Sequence, residues 1–178
     1  SLSPIRQWAL KLGARASENF WPGFPEWIFD SVKDIQPSRD IVFCGQWTLS
    51  QHRRRNEYLQ AIASGAGIAP NYSCAFYLSG DTNELTPEVS RFNQGGRYGV
   101  EMHRALRTGR IGFDARGNIG VTRSFDPGTE TGLDLAQNDT ANMRIFEVTG
   151  SGVFLLTEKF NNTSQIFEPG VEIETFSD

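Results

Sequence analysis

Residues 138–157, NDTANMRIFEVTGSGVFLLT, are the stretch from which the fold can be read. A polar loop enters a short helix that carries Arg144 and Glu147 one turn apart. The helix stops at Gly150-Ser151-Gly152 and drops into an apolar strand at 153–157. That is the loop–helix–turn–strand unit of an α/β sheet, with charged groups in the first turns of its helix. The amides at a helix start and the positive end of the helix dipole suit an anion. A carboxylate one or two turns further in is placed to accept hydrogen bonds from hydroxyls.

Upstream, the same alternation repeats. Residues 41–44 form a short apolar strand ended by Gly45, and Ser50 can cap a helix over 51–64 whose core face is Tyr58, Leu59 and Ile62. A second strand spans 73–78, a helix spans 100–108 with Met102 and Leu106 inward, and a third strand spans 110–115. Residues 117–140 are a long polar loop, of a length that is usually functional or mobile. Downstream of the opening unit come a short helix at 163–167 and a strand at 171–176. This order predicts a Rossmann-like, mostly parallel sheet of about five strands with helices on both faces. Ligands of such sheets bind beyond the carboxyl ends of the strands, so the loops after Cys44, Leu78 and Ala115 should converge with the loop before Arg144.

Residues 1–38 differ. A helix over 5–15 is followed by FWPGFPEW at 20–27, whose prolines forbid a regular element and whose aromatics must pack on something. This is a semi-rigid arm, lying either on its own domain or between two domains, and the main domain spans 39–178. Both ends look cut, with the C-terminal helix of the domain truncated.

The bulk numbers exclude several classes. A net charge of −4 argues against non-specific nucleic-acid or membrane binding, and Arg53-Arg54-Arg55 is the single basic cluster. No apolar run approaches a membrane span. The two cysteines, Cys44 and Cys74, fall inside predicted strands, which fits buried reduced thiols and a cytoplasmic setting. His52 and His103 are the two histidines, far apart and without acidic spacing, so no metal site is expected. Neither a GxGxxG nor a P-loop follows the first strand, and no nucleophile elbow is present.

Two constellations remain. Gly45, Gln46, His52 and Arg53 stand at the top of the first helix, where phosphates are often held; a plain surface helix accounts for His52 and Arg53 equally. The set Asp139, Thr140, Ala141, Asn142, Arg144 and Glu147 has two readings. In one, Arg144 and Glu147 are a surface ion pair worth about 0.2–0.5 kcal/mol. In the other, the Thr140, Ala141 and Asn142 amides and Arg144 approach a diphosphate while Glu147 grips ribose hydroxyls. Arg116, at the end of the third strand, would face the same crevice.

Four segments, in order, resemble a known group. MRIFEVTGSGVFLLTE at 143–158 is similar to the R-x-FE-x-x-G-x-G-x-x-LLT segment of GT-B-fold glycosyltransferases, nearest the bacterial spore-maturation-type group. IVFCGQWTLSQHRRRNEYLQAI at 41–62 resembles that group's first strand and helix. RYGVEMHRALRTGRIGFDARGN at 97–118 resembles its YG-x-EM segment, and IFEPGVEIETFSD at 166–178 its F-x-PG-x-E strand. The resemblance covers about residues 20–178 and puts FWPGFPEWIF where the group has its interdomain stretch. It implies the C-terminal, nucleotide-sugar-binding half of a hexosyltransferase whose acceptor half is missing, so that this chain alone is inactive. It implies no metal and no cofactor beyond the nucleoside diphosphate sugar substrate. Glu147 matches the second acid of a Glu-x7-Glu pattern that contacts sugar and ribose, and Asp139, one carbon shorter, stands at the first. Asp114-Ala115-Arg116 stands where relatives often have Asn-x-His. The rival readings are a non-catalytic α/β interaction module and a flavodoxin-like ligand-binding domain.

Overall fold

The computed structural model describes residues 3–49, 52–66, 71–116, 139–140 and 142–177. Five strands form one sheet: β1 (Arg39–Trp47), β2 (Cys74–Gly80), β3 (Gly109–Asp114), β4 (Phe154–Glu158) and β5 (Ile173–Phe176). Their order is β2-β1-β3-β4-β5, and every neighbouring pair is parallel. The chain steps from β1 to β2 on one side, then returns past β1 to lay down β3, β4 and β5 on the other. The loops leaving β1 and β3 therefore diverge, which opens a crevice at the carboxyl ends of these two strands.

Helices cover both faces. Alternate residues of β1 separate the two cores: Phe43 and Trp47 pack with Leu59, Ala63 and Val89, while Val42 and Cys44 pack with Leu106, Ile145 and Val148. The first core belongs to α3 (Arg53–Gly65) and α4 (Pro87–Ser90), the second to α5 (Val100–Arg107) and α6 (Met143–Gly150). Cys44 and Cys74 fall in opposite cores and are free thiols, because the register sets Ile41 rather than Cys44 beside Cys74. Beyond β2, residues 92–94 cover the sheet edge: Phe76 N donates to Phe92 O at 3.0 Å and Gln94 N to Phe76 O at 2.7 Å. Leu78 N donates to Asn93 Oδ1 at 3.1 Å on the same edge.

The helix-to-strand turn of the opening stretch has a full C-terminal cap. Gly152 takes φ 71°. Its N–H donates to Thr149 O at 2.9 Å, and Val153 N to Val148 O at 3.2 Å, the paired bonds that close a helix through a left-handed residue.

Several boundaries differ from the sequence expectation. β1 runs through Gly45, which stays paired beside Leu78, and ends at Trp47. α3 begins at Arg53 with His52 as its N-cap; Ser50 and Gln51 lie outside the described residues, as do residues 117–138 of the long loop. The turn near 163 is a short 3-10 segment, Thr163–Gln165. In the arm, α1 covers Ser3–Lys11, and an unexpected helix, α2, covers Glu26–Val32. Pro25 does not forbid that helix because it stands at the N-cap, outside the i to i−4 ladder, and Glu26 supplies an acid to the first turn.

The arm lies on the α5–α6 side. α2 packs against α5, and the Phe24 ring meets the His103 ring edge-on at 5.4 Å. Phe24 also sits where a side chain on Gly150 would be, 2.2 Å from an added Cβ. Two effects therefore oppose each other in Gly150→Ala: alanine favours the helix by about 1 kcal/mol, whereas overpacking costs about 1–3 kcal/mol. The expected net result in urea unfolding is destabilisation. In a Phe24→Ala background the sign should reverse; the same sign in both backgrounds would mean that the arm does not rest on this helix in solution.

Candidate functional site

A cavity of about 230 Å³ opens at the divergence of β1 and β3. Its walls come from the end of β1 (Gly45, Gln46), the top of α3 (His52, Arg55), the end of β2 (Ser79), the loop before α5 (Arg97, Tyr98), the end of β3 (Asp114) and the start of α6 (Asn142, Arg144). The residues after Cys44, the residue after Leu78 and the loop before Arg144 converge as expected from the strand order, while the loop after Ala115 lies mostly outside the described residues; five of the sequence candidates meet in one place: Gly45, Gln46, His52, Asn142 and Arg144.

Three guanidinium groups face this space. Arg55 lies over the Phe43 ring at 5.3 Å and donates through one terminal nitrogen to Gln46 O. Its Nε is buried without a hydrogen-bond partner. Burial pushes the guanidinium down to about 10, so it remains charged at neutral pH. Arg97 donates to Gly96 O at 3.1 Å and approaches the Tyr77 ring at 5.8 Å. Arg144 pairs with Glu147 at 3.0 Å, both side chains being largely shielded from water. The ion pair read from the i, i+3 spacing is therefore formed, and its cation also lines the crevice.

Under the guanidiniums lies a carboxyl group. Asp114, 2% exposed, accepts from Asn142 Nδ2 at 3.0 Å and from Thr157 Oγ1 at 3.4 Å. Burial pushes it up to about 6, against the pull of Arg144 and Arg55. Asn142 uses its other end as the α6 cap, with Oδ1 accepting from Arg144 N at 3.0 Å.

The remaining candidates among the described residues do not line the cavity. Arg53 is exposed and pairs with Glu57 at 3.1 Å; the helical period turns it away and brings Arg55, two residues on, to the crevice. Arg116 does not line the cavity, its amide being held by Glu158 Oε2 at 2.6 Å, and Asp114 occupies the place expected of it. Burial raises the Asp139 carboxyl, opposed by Arg116. The expectation of amides free for an anion is corrected by the hydrogen bonds. Thr140 N donates to Asn162 Oδ1 at 2.8 Å, while Asn162 Nδ2 donates to Thr140 O at 2.7 Å. Asn142 N donates to Thr140 Oγ1 at 3.3 Å. Ala141 lies outside the described residues. Glu147 stands one turn inside α6, against Arg144, and is not part of the cavity wall. The Thr140 and Asn142 amides are thus engaged, and the positive charge lining the cavity is carried by the Arg55, Arg97 and Arg144 side chains.

A glycosyl transferase-like family model matches residues 26–178. The chain belongs to this glycosyl transferase-like family. Its coarse class is therefore sugar transfer. Among solved structures, it is similar to the C-terminal domain of a glycosyl transferase group 1 family protein (LpcC) from Francisella tularensis. That match has 13% identity, a TM-score of 0.47, and covers 88% of this chain and 76% of the other. No curated protein matches in sequence. In this glycosyl transferase-like chain, no helix among the described residues is long and apolar enough to cross a membrane. The described residues hold no cluster of three or more His, Cys, Asp or Glu side chains suited to a metal ion.

Because the folded-state value of Asp114 is raised, its contribution to stability is fully present below the ordinary carboxylate value of 3.8 and is lost as pH rises through about 6. Asp114→Asn lacks that loss. Its stability relative to the parent, from urea unfolding, should rise by about 1–3 kcal/mol between pH 4 and pH 7.5. A difference that does not change with pH would mean the carboxyl is not held as described. Asn142→Ala should cost about 1–2 kcal/mol through loss of the cap, measured in the same way.

Proposed function

We propose that the chain is the nucleotide-sugar-binding half of a two-domain GT-B glycosyltransferase, of the bacterial spore-maturation type. It would transfer a hexose from a nucleoside diphosphate sugar to an acceptor held by the other half. Residues 39–178 are the donor domain, and residues 1–38 are an arm or interdomain connector. The observation that carries this reading is the set of three guanidiniums, Arg55, Arg97 and Arg144, around a crevice at the strand-order reversal. The family match supports glycosyl transfer, and the sequence resemblance supplies the finer class.

In such a transfer, the bond from the sugar to the diphosphate breaks and negative charge develops on the leaving phosphate. Cations already fixed in place stabilise that charge without reorganising at the moment of reaction. Glu147 holds Arg144, and the Gln46 carbonyl holds Arg55. With guanidiniums in this role, no metal and no further cofactor is required of the mechanism. Tyr98, 72% exposed at the cavity mouth, offers an aromatic face to a base. The two buried free thiols fit a cytoplasmic location. The Arg144–Glu147 pair at 3.0 Å also supports the rival, a non-catalytic module in which it only stabilises α6.

Ligand-observed NMR titration with UDP, GDP, ADP and TDP separates the two. At least one nucleotide should bind at millimolar concentration or below. Arg55→Ala and Arg144→Ala should each weaken it on the order of tenfold or more, as expected for a lost charge-assisted hydrogen bond. No binding by any of the four would sink the donor-site reading. Binding that survives Glu147→Ala unchanged would remove the ribose role and leave Glu147 as the partner of Arg144.

A further inference from the structure

We infer that Asp114 couples anion binding in the crevice to proton uptake, so that affinity for an anion is set by the protonation of this one buried carboxyl group. The inference rests on the reading of the crevice as an anion site and adds to it a control. Asp114 is the last residue of β3, at the floor of the cavity whose wall carries Arg55, Arg97 and Arg144. Its oxygens accept from two neutral groups, the Asn142 amide and the Thr157 hydroxyl. Neither bond depends on the carboxyl being charged, because a protonated carboxyl still accepts through its carbonyl oxygen and can donate its proton to a hydroxyl. The group can therefore gain a proton without dismantling the floor.

The charged groups around Asp114 among the described residues make that proton consequential. From α3 and α6, Arg55 and Arg144 attract the ionised form; from β4, Glu158 repels it. Arg97 and His52 border the same cavity. Cys44, on β1 in the same wall, is pushed by burial up to about 12 and stays neutral across the physiological range. Ionised, Asp114 offsets part of the positive charge offered to a ligand. An anion entering the crevice repels that carboxylate and raises its proton affinity further. Binding and protonation then reinforce each other, as linkage requires. The raised value of about 6 for the free carboxyl sets the exchange on the acid side of neutrality.

Inorganic sulfate tests this, because it stays a dianion from pH 5.5 to 8 and needs no matching base or sugar. Its dissociation constant is measured from the Arg55 Nε–Hε NMR signal in the His52→Gln protein, which takes the imidazole bordering the cavity out of the comparison, with and without Asp114→Asn; His103 is the same in both arms. With Asp114 present, binding should weaken on the order of tenfold between pH 5.5 and pH 8. With asparagine it should be nearly flat, and as tight at pH 8 as the Asp114 protein is at pH 5.5. Equal pH profiles in the two proteins, whether flat or sloping, would overturn the coupling while leaving the anion site intact. Failure of sulfate to bind either protein at any pH would overturn the coupling and the anion reading together.

Discussion

The Asn142 side chain bonds in two directions at once. Its oxygen closes the first turn of α6 by accepting from Arg144 N, and its nitrogen donates to Asp114 at the end of β3. An amide is suited to this position because it offers an acceptor and donors on one short, rigid group. Aspartate could cap the helix equally well but would bring a second negative charge against Asp114. Serine could cap it but would not span to the strand with a second bond of the same kind. The distance between the sheet and the start of α6 is thereby fixed, and with it the place of Arg144 on the crevice wall.

From that link the electrostatics of the site follow. Asp114 is deep, so its ionised form is costly, yet it is not stripped of partners. Arg55 is half-buried and keeps one nitrogen without a partner, a cost of the kind a folded protein tolerates where a ligand can complete the set. Arg144 is shared between Glu147 and the cavity. The site is thus cationic at its walls and weakly acidic at its floor.

The sequence made the elements legible where a period or a terminator was strong. The α6 turn shows this best: Gly150-Ser151-Gly152 reads as a stop, and Gly152 closes the helix at positive φ. The strand alternation of β1 and the meeting of the ends of β1 and β2 with the start of α6 are readable for the same reason. What stayed hidden was direction. Arg53, Arg54 and Arg55 are alike in a string, but the helix sends the first to Glu57, the second to Glu158 and the third into the crevice. A helix starting near 51, as the sequence suggests, does not single out the inward arginine; the observed start at Arg53 does. Thr140 shows the other gap. Its amide looked free because its partner, Asn162, is distant in sequence and arrives through the fold. Asp114 carried no local signal, since burial under two guanidiniums is a property of three elements meeting.

The covering of β2 by residues 92–94 has a consequence for how the sheet can meet other chains. Phe76 N, Phe76 O and Leu78 N are occupied on that side, so β2 presents few open backbone groups to a newcomer. At the opposite end β5 is four residues long, and no strand lies beyond it among the described residues. The two margins differ in degree, for at the far one Ile173 O already accepts from Gly170 N at 2.8 Å. A sixth strand, from any source, would have to join at Ile173–Phe176, where so short a template offers little hold to misfolded neighbours.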